Sequence, residues 1–189
     1  MSKRQAINKG TCQLCGRIHK IDLRTGLVAK HGYTKQHGFF NGTCHGSGEL
    51  PIEKSCDLLR AYVEQAWPAE VRRLRDHAAS IRSGEAKLMI EIQRGGAWGP
   101  KTVEELVRVQ RDTSGPYTKW QMVTKDYHGN ENATGLRFYV AGSTAEKVEA
   151  SLRDDKAKGI ERQAAQIEQY IEQRRPDIEN WAERRLLPL

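Results

Sequence analysis

The sequence predicts an α+β fold in two parts. A short glycine-rich N-terminal lobe (1–54) is followed by a long antiparallel helical hairpin (55–189) with a small antiparallel β-meander inserted between its arms. Three observations predict it. Gly, Cys and His crowd the first 54 residues. Apolar residues recur at steps of three and four after Ser55 and again after Ser143. Between those two stretches the apolar period drops to two. The chain has 189 residues, enough for a real hydrophobic core.

The first lobe has glycines at 10, 16, 26, 32, 38, 42, 46 and 48, which means many turns and little regular structure. Two short β-like runs fit, at 18–22 and 27–31, with a turn at 24–26. The first helix spans 55–94. Ser55 is its expected N-cap, and Leu59, Val63, Trp67, Val71, Leu74, Ala78 and Ile81 share one face. Pro68 either kinks that helix or opens a second one. The stretch GGAWGP at 95–100 ends it. The meander follows over 103–141 as three strands, read from the alternation around Val103–Val109, Trp120–Met122 and Leu136–Val140. Its first strand has a rival reading, because Thr102 and Glu105 also make a capping box. The second long helix spans 143–185, with Ser143 as N-cap and Glu146 completing a capping box. Its stripe runs through Val148, Leu152, Ile160, Ala164, Ile167, Ile171, Ile178 and Trp181 at nearly heptad phase.

Bulk properties narrow the function classes. Mean hydropathy is −0.72 and no apolar run approaches 18 residues, so no membrane partner is expected. The start, MSKRQAINKG, has basic residues with no apolar stretch behind them. It does not read as a secretory signal, and the expected compartment is the cytoplasm. There the four cysteines would be reduced thiols or metal ligands rather than disulfides. The basic excess sits beside them. Residues 1–57 hold nine Lys/Arg against four Asp/Glu, a net +5, whereas 58–189 hold 22 against 20, a net +2. An anionic partner, nucleic acid first, is the natural inference.

Cys12-x-x-Cys15-Gly16 has the shape of a zinc knuckle: the spacing lets both thiolates reach one ion, and the glycine permits the tight turn. A thioredoxin-like redox pair has the same letters but needs a βαβ setting that is absent here. A closed structural site needs two more ligands. His31 follows an apolar run, and Cys44 is flanked by glycines at 42 and 46. The expected set is Cys12, Cys15, His31 and Cys44, holding one structural Zn2+. The rivals replace His31 with His37 or His45, or bring in Cys56 for a four-cysteine site. His19 reads as an exposed polar residue and Cys56 as a free thiol. Losing a cysteine ligand is then expected to unfold 1–54 and spare the helices.

No catalytic pattern stands out. Four soft ligands leave a zinc ion no open position. The deaminase pattern, Gly-rich phosphate loops and a Gly-x-Ser-x-Gly elbow are absent from the sequence. The stretch DYHGN at 126–130 offers His and Asn beside an acid, as some nucleases do, yet it falls in an expected hairpin loop. A non-enzymatic protein without a small-molecule substrate is expected.

The string CxxCGR, then LVAKHGY at 27–33, GTCHG at 42–46 and PIEKS at 51–55, resembles the N-terminal part of small uncharacterised proteins encoded by bacteriophages and plasmids. The resemblance covers about the first 55 residues. It implies His31 and Cys44 as ligands, a bacterial cytoplasm and a mobile-element setting, and it carries no activity. Two functions follow as expectations. The zinc lobe would present Arg17, Lys20, Arg24, Lys30 and Lys35 to phosphates, with Tyr33 free to stack on a base. Alternatively the chain is a phage inhibitor of a host defence complex, of anti-CRISPR or anti-restriction type, gripping its target through the long helices. Those helices also fit a homodimer.

Overall fold

The computed structural model describes residues 8–34, 40–93, 101–112, 119–138 and 143–186. The fold is mixed, with helices and antiparallel sheets, and it divides into two compact units: 1–70 with 167–189, and 71–166. The sequence division at residue 54 differs from this in two ways: both 55–70 and 167–189 fall in the unit that holds the cysteines. The end of the last helix belongs with the cysteines.

In the first unit, β1 (Lys9–Thr11) pairs antiparallel with β2 (Ile18–Lys20), and β3 (Gly32–Thr34) with β4 (Phe40–Thr43). The expected run at 27–31 is reduced to a single bridge, Ile21 opposite Val28. The turn between them is built by Asp22. Its Oδ1 accepts the backbone N–H groups of Arg24 at 2.8 Å and Thr25 at 3.2 Å, and Gly26 closes it at φ 75°. Those donors hold the Asp22 carboxyl below its usual range.

The first helix begins at α1 (Asp57–Ala61). Ser55 Oγ accepts the Asp57 N–H at 3.1 Å, while Cys56 stands at the cap position. The expected disturbance at Pro68 is a π-helical turn, Tyr62–Ala66, leading into α2 (Trp67–Ser83). Trp67 N–H bonds back to the Tyr62 carbonyl. The wider turn comes directly before a residue that has no N–H to give.

The expectation of helix to residue 94 is corrected: α2 stops at Ser83. Gly84 sits at φ 87°, a conformation a helix cannot continue through, and its N–H bonds the Ile81 carbonyl at 3.2 Å. Arg153 donates to the Ile81 carbonyl in the last turn of α2 at 3.2 Å and to the Ala86 carbonyl beyond it at 3.1 Å, clasping the helix end and the chain that leaves it. The chain then becomes β5 (Met89–Gln93), with Leu88 and Ile92 buried and Met89 outward. The meander therefore has four strands, in order β5-β6-β7-β8, with β6 Lys101–Asp112, β7 Lys119–Lys125 and β8 Glu131–Phe138. The capping-box rival at Thr102 fails, because its hydroxyl donates to Glu104 instead.

The last helix, α3, runs Ala145–Glu179. Its cap is Thr144 rather than the expected Ser143: Thr144 Oγ1 accepts the Lys147 N–H at 3.4 Å. Within the second unit, Arg82 of α2 grips Asp154 at 3.0 Å and Glu161 at 2.8 Å on α3. A helical hairpin over the full length of both helices is not shown. Among the described residues, no helix is long and apolar enough to cross a membrane.

One polar contact in the second unit's core yields a sharp prediction. Thr124 is fully buried, and its hydroxyl donates to the buried carboxylate of Glu104 at 2.7 Å. Thr124→Val keeps the shape and removes the donor. The expected loss is about 1–3 kcal/mol in urea unfolding, the cost of leaving a buried acceptor short of a partner. A change under about 0.5 kcal/mol, the size of an ordinary surface substitution, would contradict this role for the hydroxyl.

Candidate metal centre

Each ligand is placed by a local device. Cys12 and Cys15 occupy a turn in which Gly16 N–H bonds the Cys12 carbonyl at 3.0 Å and Cys12 N–H bonds the Arg17 carbonyl at 2.9 Å. Gly16, at φ 67°, supplies the left-handed residue that this turn needs. Cys44 opens a second turn, closed by Ser47 N–H on its carbonyl at 2.9 Å. His31 enters from the segment before β3. Its Nδ1 lies 2.9 Å from the Ala29 carbonyl, which accepts only if Nδ1 carries the proton. Nε2 is thereby left with its lone pair free toward the cysteines. Ser47 braces the same residue, accepting the His31 N–H at 3.0 Å and donating to its carbonyl at 3.1 Å.

The ligand atoms of Cys12, Cys15, His31 and Cys44 lie within 4.8 Å of one another. Cys12 Sγ to Cys44 Sγ is 3.8 Å, and Cys15 Sγ to His31 Nε2 is 3.5 Å. A tetrahedron with ordinary zinc–sulfur and zinc–nitrogen bonds has edges of about 3.8 Å between two thiolates and about 3.6 Å between thiolate and imidazole. The spacing fits a single metal ion. Cys12 and Cys44 are buried, whereas Cys15 and His31 are half-buried. Burial pushes the Cys12 thiol up to about 12, so a bound cation is what would hold it as thiolate at neutral pH.

The rival ligands fall elsewhere. His45 is exposed and its Nδ1 lies 2.7 Å from the Tyr62 hydroxyl. Cys56 is buried at the start of α1, outside the cluster, with Arg60 Nη2 3.6 Å away. His37 lies outside the described residues.

Several residues at the centre escape sequence reasoning. Gln13, between the two knuckle cysteines, is buried; its amide donates to the Leu50 carbonyl at 2.8 Å and its Oε1 accepts the Leu59 N–H at 3.0 Å. Tyr170 donates to the Leu14 carbonyl at 2.5 Å, and Arg174 to the Gln13 carbonyl at 2.7 Å. Burial raises the Tyr170 hydroxyl above its usual value. Trp181 Nε1 donates to the Ile52 carbonyl at 2.6 Å, and Arg184 N–H to the Glu53 carbonyl at 2.8 Å. No local signal marks these contacts of Tyr170, Arg174 and Trp181, since their partners lie more than a hundred residues away. His19, expected to be exposed, is half-buried. Its ring stacks on His31 with centroids 3.7 Å apart, and its Nε2 is 3.7 Å from Cys15 Sγ. Burial, then the neighbouring His31, lowers its pKa. The spacing Cys15-x3-His19 was its only sequence signal.

The basic residues expected to meet phosphate are spread over the same unit. Arg17, Lys20, Arg24 and Lys30 are exposed on the knuckle, β2, the Asp22 turn and the residue before His31. Lys30 also lines a cavity of 460 Å³ with His19, His31, Gly32, Gly42 and Thr43. Tyr33 has its backbone in β3, opposite Asn41. Lys35 lies outside the described residues. At 126–130, the nuclease-like letters form a turn: Asp126 Oδ1 accepts the Asn130 N–H at 2.9 Å, and Oδ2 accepts the side-chain amides of Asn130 and Asn132 at 3.2 and 3.3 Å. Those donors hold the Asp126 carboxyl below its usual range.

Three soft sulfur donors and one imidazole, closed around a single point and braced from behind, define the centre. Comparison with protein-family models, curated proteins and solved structures finds no match for the chain.

Proposed function

We propose that the protein is a non-enzymatic, zinc-stabilised nucleic-acid-binding or regulatory protein of a phage or mobile element. The observation that carries the reading is the Cys12/Cys15/His31/Cys44 cluster, set among exposed Arg17, Lys20, Arg24 and Lys30. The ion is zinc because three thiolates and an imidazole suit it, and its role is structural because those four ligands fill a tetrahedral sphere. The metal holds the turns, and the turns hold the basic side chains.

A second reading is a protein-binding inhibitor of a host complex. It is favoured by Met89, Val103 and Val107, which are exposed at 38%, 65% and 38% on one face of β5 and β6. A homodimer is the simplest form of such pairing.

The test is fluorescence anisotropy of labelled duplex and single-stranded DNA with the zinc-loaded protein. Four phosphate contacts would weaken duplex binding by about 100-fold between about 50 and 200 mM salt. Alanine at Arg17, Lys20, Arg24 or Lys30 should reduce that salt dependence by about one contact each. No binding at about 50 mM salt, with zinc present in the sample, would remove the nucleic-acid reading and leave the inhibitor.

A further inference from the structure

We propose that His19 is a reserve metal ligand, placed to take the coordination position of His31. The inference rests on the metal-centre reading and adds a fifth donor to it.

His19 lies at the middle of β2, and the strand's alternation turns it away from the exposed Ile18 and Lys20. It is registered opposite Gly10. Its ring lies against the ring of His31 at 3.7 Å between centroids, with 23° between planes. Both Nε2 atoms are aimed at the same sulfur: His31 Nε2 is 3.5 Å and His19 Nε2 is 3.7 Å from Cys15 Sγ. Each distance is close to the thiolate–imidazole edge of a zinc tetrahedron, about 3.6 Å.

The two imidazoles differ in what stands behind them. His31 is held by the Ala29 carbonyl at 2.9 Å and by Ser47, so it is the pre-oriented ligand. The His19 ring is set by its contact with Cys15 Sγ and its stacking on His31, with no backbone carbonyl behind it among the described contacts. His19 is therefore the substitute rather than the resident. Exchange breaks the metal–Nε2 bond of His31 and forms one to Nε2 of His19; because a metal-held Cys15 thiolate can only accept from His19, the proton on His19 Nε2 first leaves to solvent while Nδ1 takes one up. The 460 Å³ cavity bordered by both histidines gives the displaced ring a place to go.

The experiment uses the full chain loaded with Co2+, read by its d–d and sulfur-to-cobalt bands and by chelator competition. Wild type, His19→Ala, His31→Ala and the double variant are compared, with His31→Gln as a second way of removing the resident imidazole. With a reserve ligand present, His31→Ala and His31→Gln keep a tetrahedral three-sulfur, one-nitrogen spectrum. Their affinity drops by about 10–100-fold, the scale of losing an orienting brace. The double variant shows the three-sulfur spectrum with an oxygen ligand, and added imidazole restores the nitrogen signature there but changes nothing in His31→Ala. The proposal is overturned if His31→Ala matches the double variant in spectrum and affinity. It is equally overturned if neither single His31 variant holds cobalt while wild type does. A wild type that fails to bind cobalt tetrahedrally would instead sink the metal-centre reading beneath it.

Discussion

Cys44→Ser is expected to release the metal and, with it, the docking of α3's C-terminal end within the first unit. A structural zinc site contributes about 10–16 kcal/mol of apparent folding free energy. A whole domain is stable by only about 5–15 kcal/mol. The apolar packing of this unit is modest. Ile52, Leu59, Val63 and Ile171 form one cluster, and the second packs Leu14, Ile21 and Val28 around Cys12 and Cys44 themselves. The end of α3 is tied to the knuckle through the Leu14 and Gln13 carbonyls, and the segment after it is tied to the 51–54 turn through those of Ile52 and Glu53. Such bonds are worth about 1 kcal/mol each when their acceptors are in place. They cannot hold a helix to a loop that has lost its cross-link. Hydrogen exchange should show protection falling together in 12–48 and 170–184, with the β6 and β7 amides as internal reference. Loss in 12–48 with 170–184 still protected would restore the division at residue 54 that the sequence suggested.

Gly46→Ala is expected to abolish metal binding although Gly46 is no ligand. A methyl group there would lie 2.3 Å from Cys12 Sγ, with Leu14 N and Cβ at 3.6 and 3.7 Å behind it. Neither side can yield. Cys12 is fully buried, and the turn carrying Gly46 is fixed by Ser47 N–H on the Cys44 carbonyl and Gly48 N–H on the Val28 carbonyl, both at 2.9 Å. Tetrahedral coordination tolerates errors of only about 0.2 Å. Gly48 gives the contrast. Its φ is 79° and a methyl would meet nothing within 4 Å, so Gly48→Ala should cost only about 1–2 kcal/mol of backbone strain and keep the metal. Zinc content after dialysis against a weak chelator separates the two. Full zinc in Gly46→Ala would show that the approach to Cys12 is not the tight one.

The difference between these two glycines marks where sequence reading stops. Both are glycines after Cys44, and nothing in their letters tells a steric requirement from a turn requirement. The same limit applies to the first helix. Its apolar stripe through Ile81 was legible because burial repeats every turn, and Leu59, Val63, Val71, Leu74, Ala78 and Ile81 are all buried. Its end was not legible. Ser83-Gly84 is a short stop, and the apolar run after it suits either a helix face or a strand. Pairing with β6 decides for strand, and that partner lies beyond the 94–100 segment.

The sequence by itself determined the ligand types and the bracing of the centre's first turn. CxxCG dictates a knuckle through bond lengths and the freedom of glycine, both local properties. It also determined the alternation that makes Lys101–Asp112 and Lys119–Lys125 strands. Tertiary structure alone decided the rest. It chose His31 over His45, because one ring is held toward the cysteines and the other points to Tyr62. It brought His19 against His31, and it laid Tyr170 and Arg174 on the knuckle carbonyls. Those contacts join residues far apart in the chain. Their energy depends on how the unit closes around the site, and no window of sequence contains both partners.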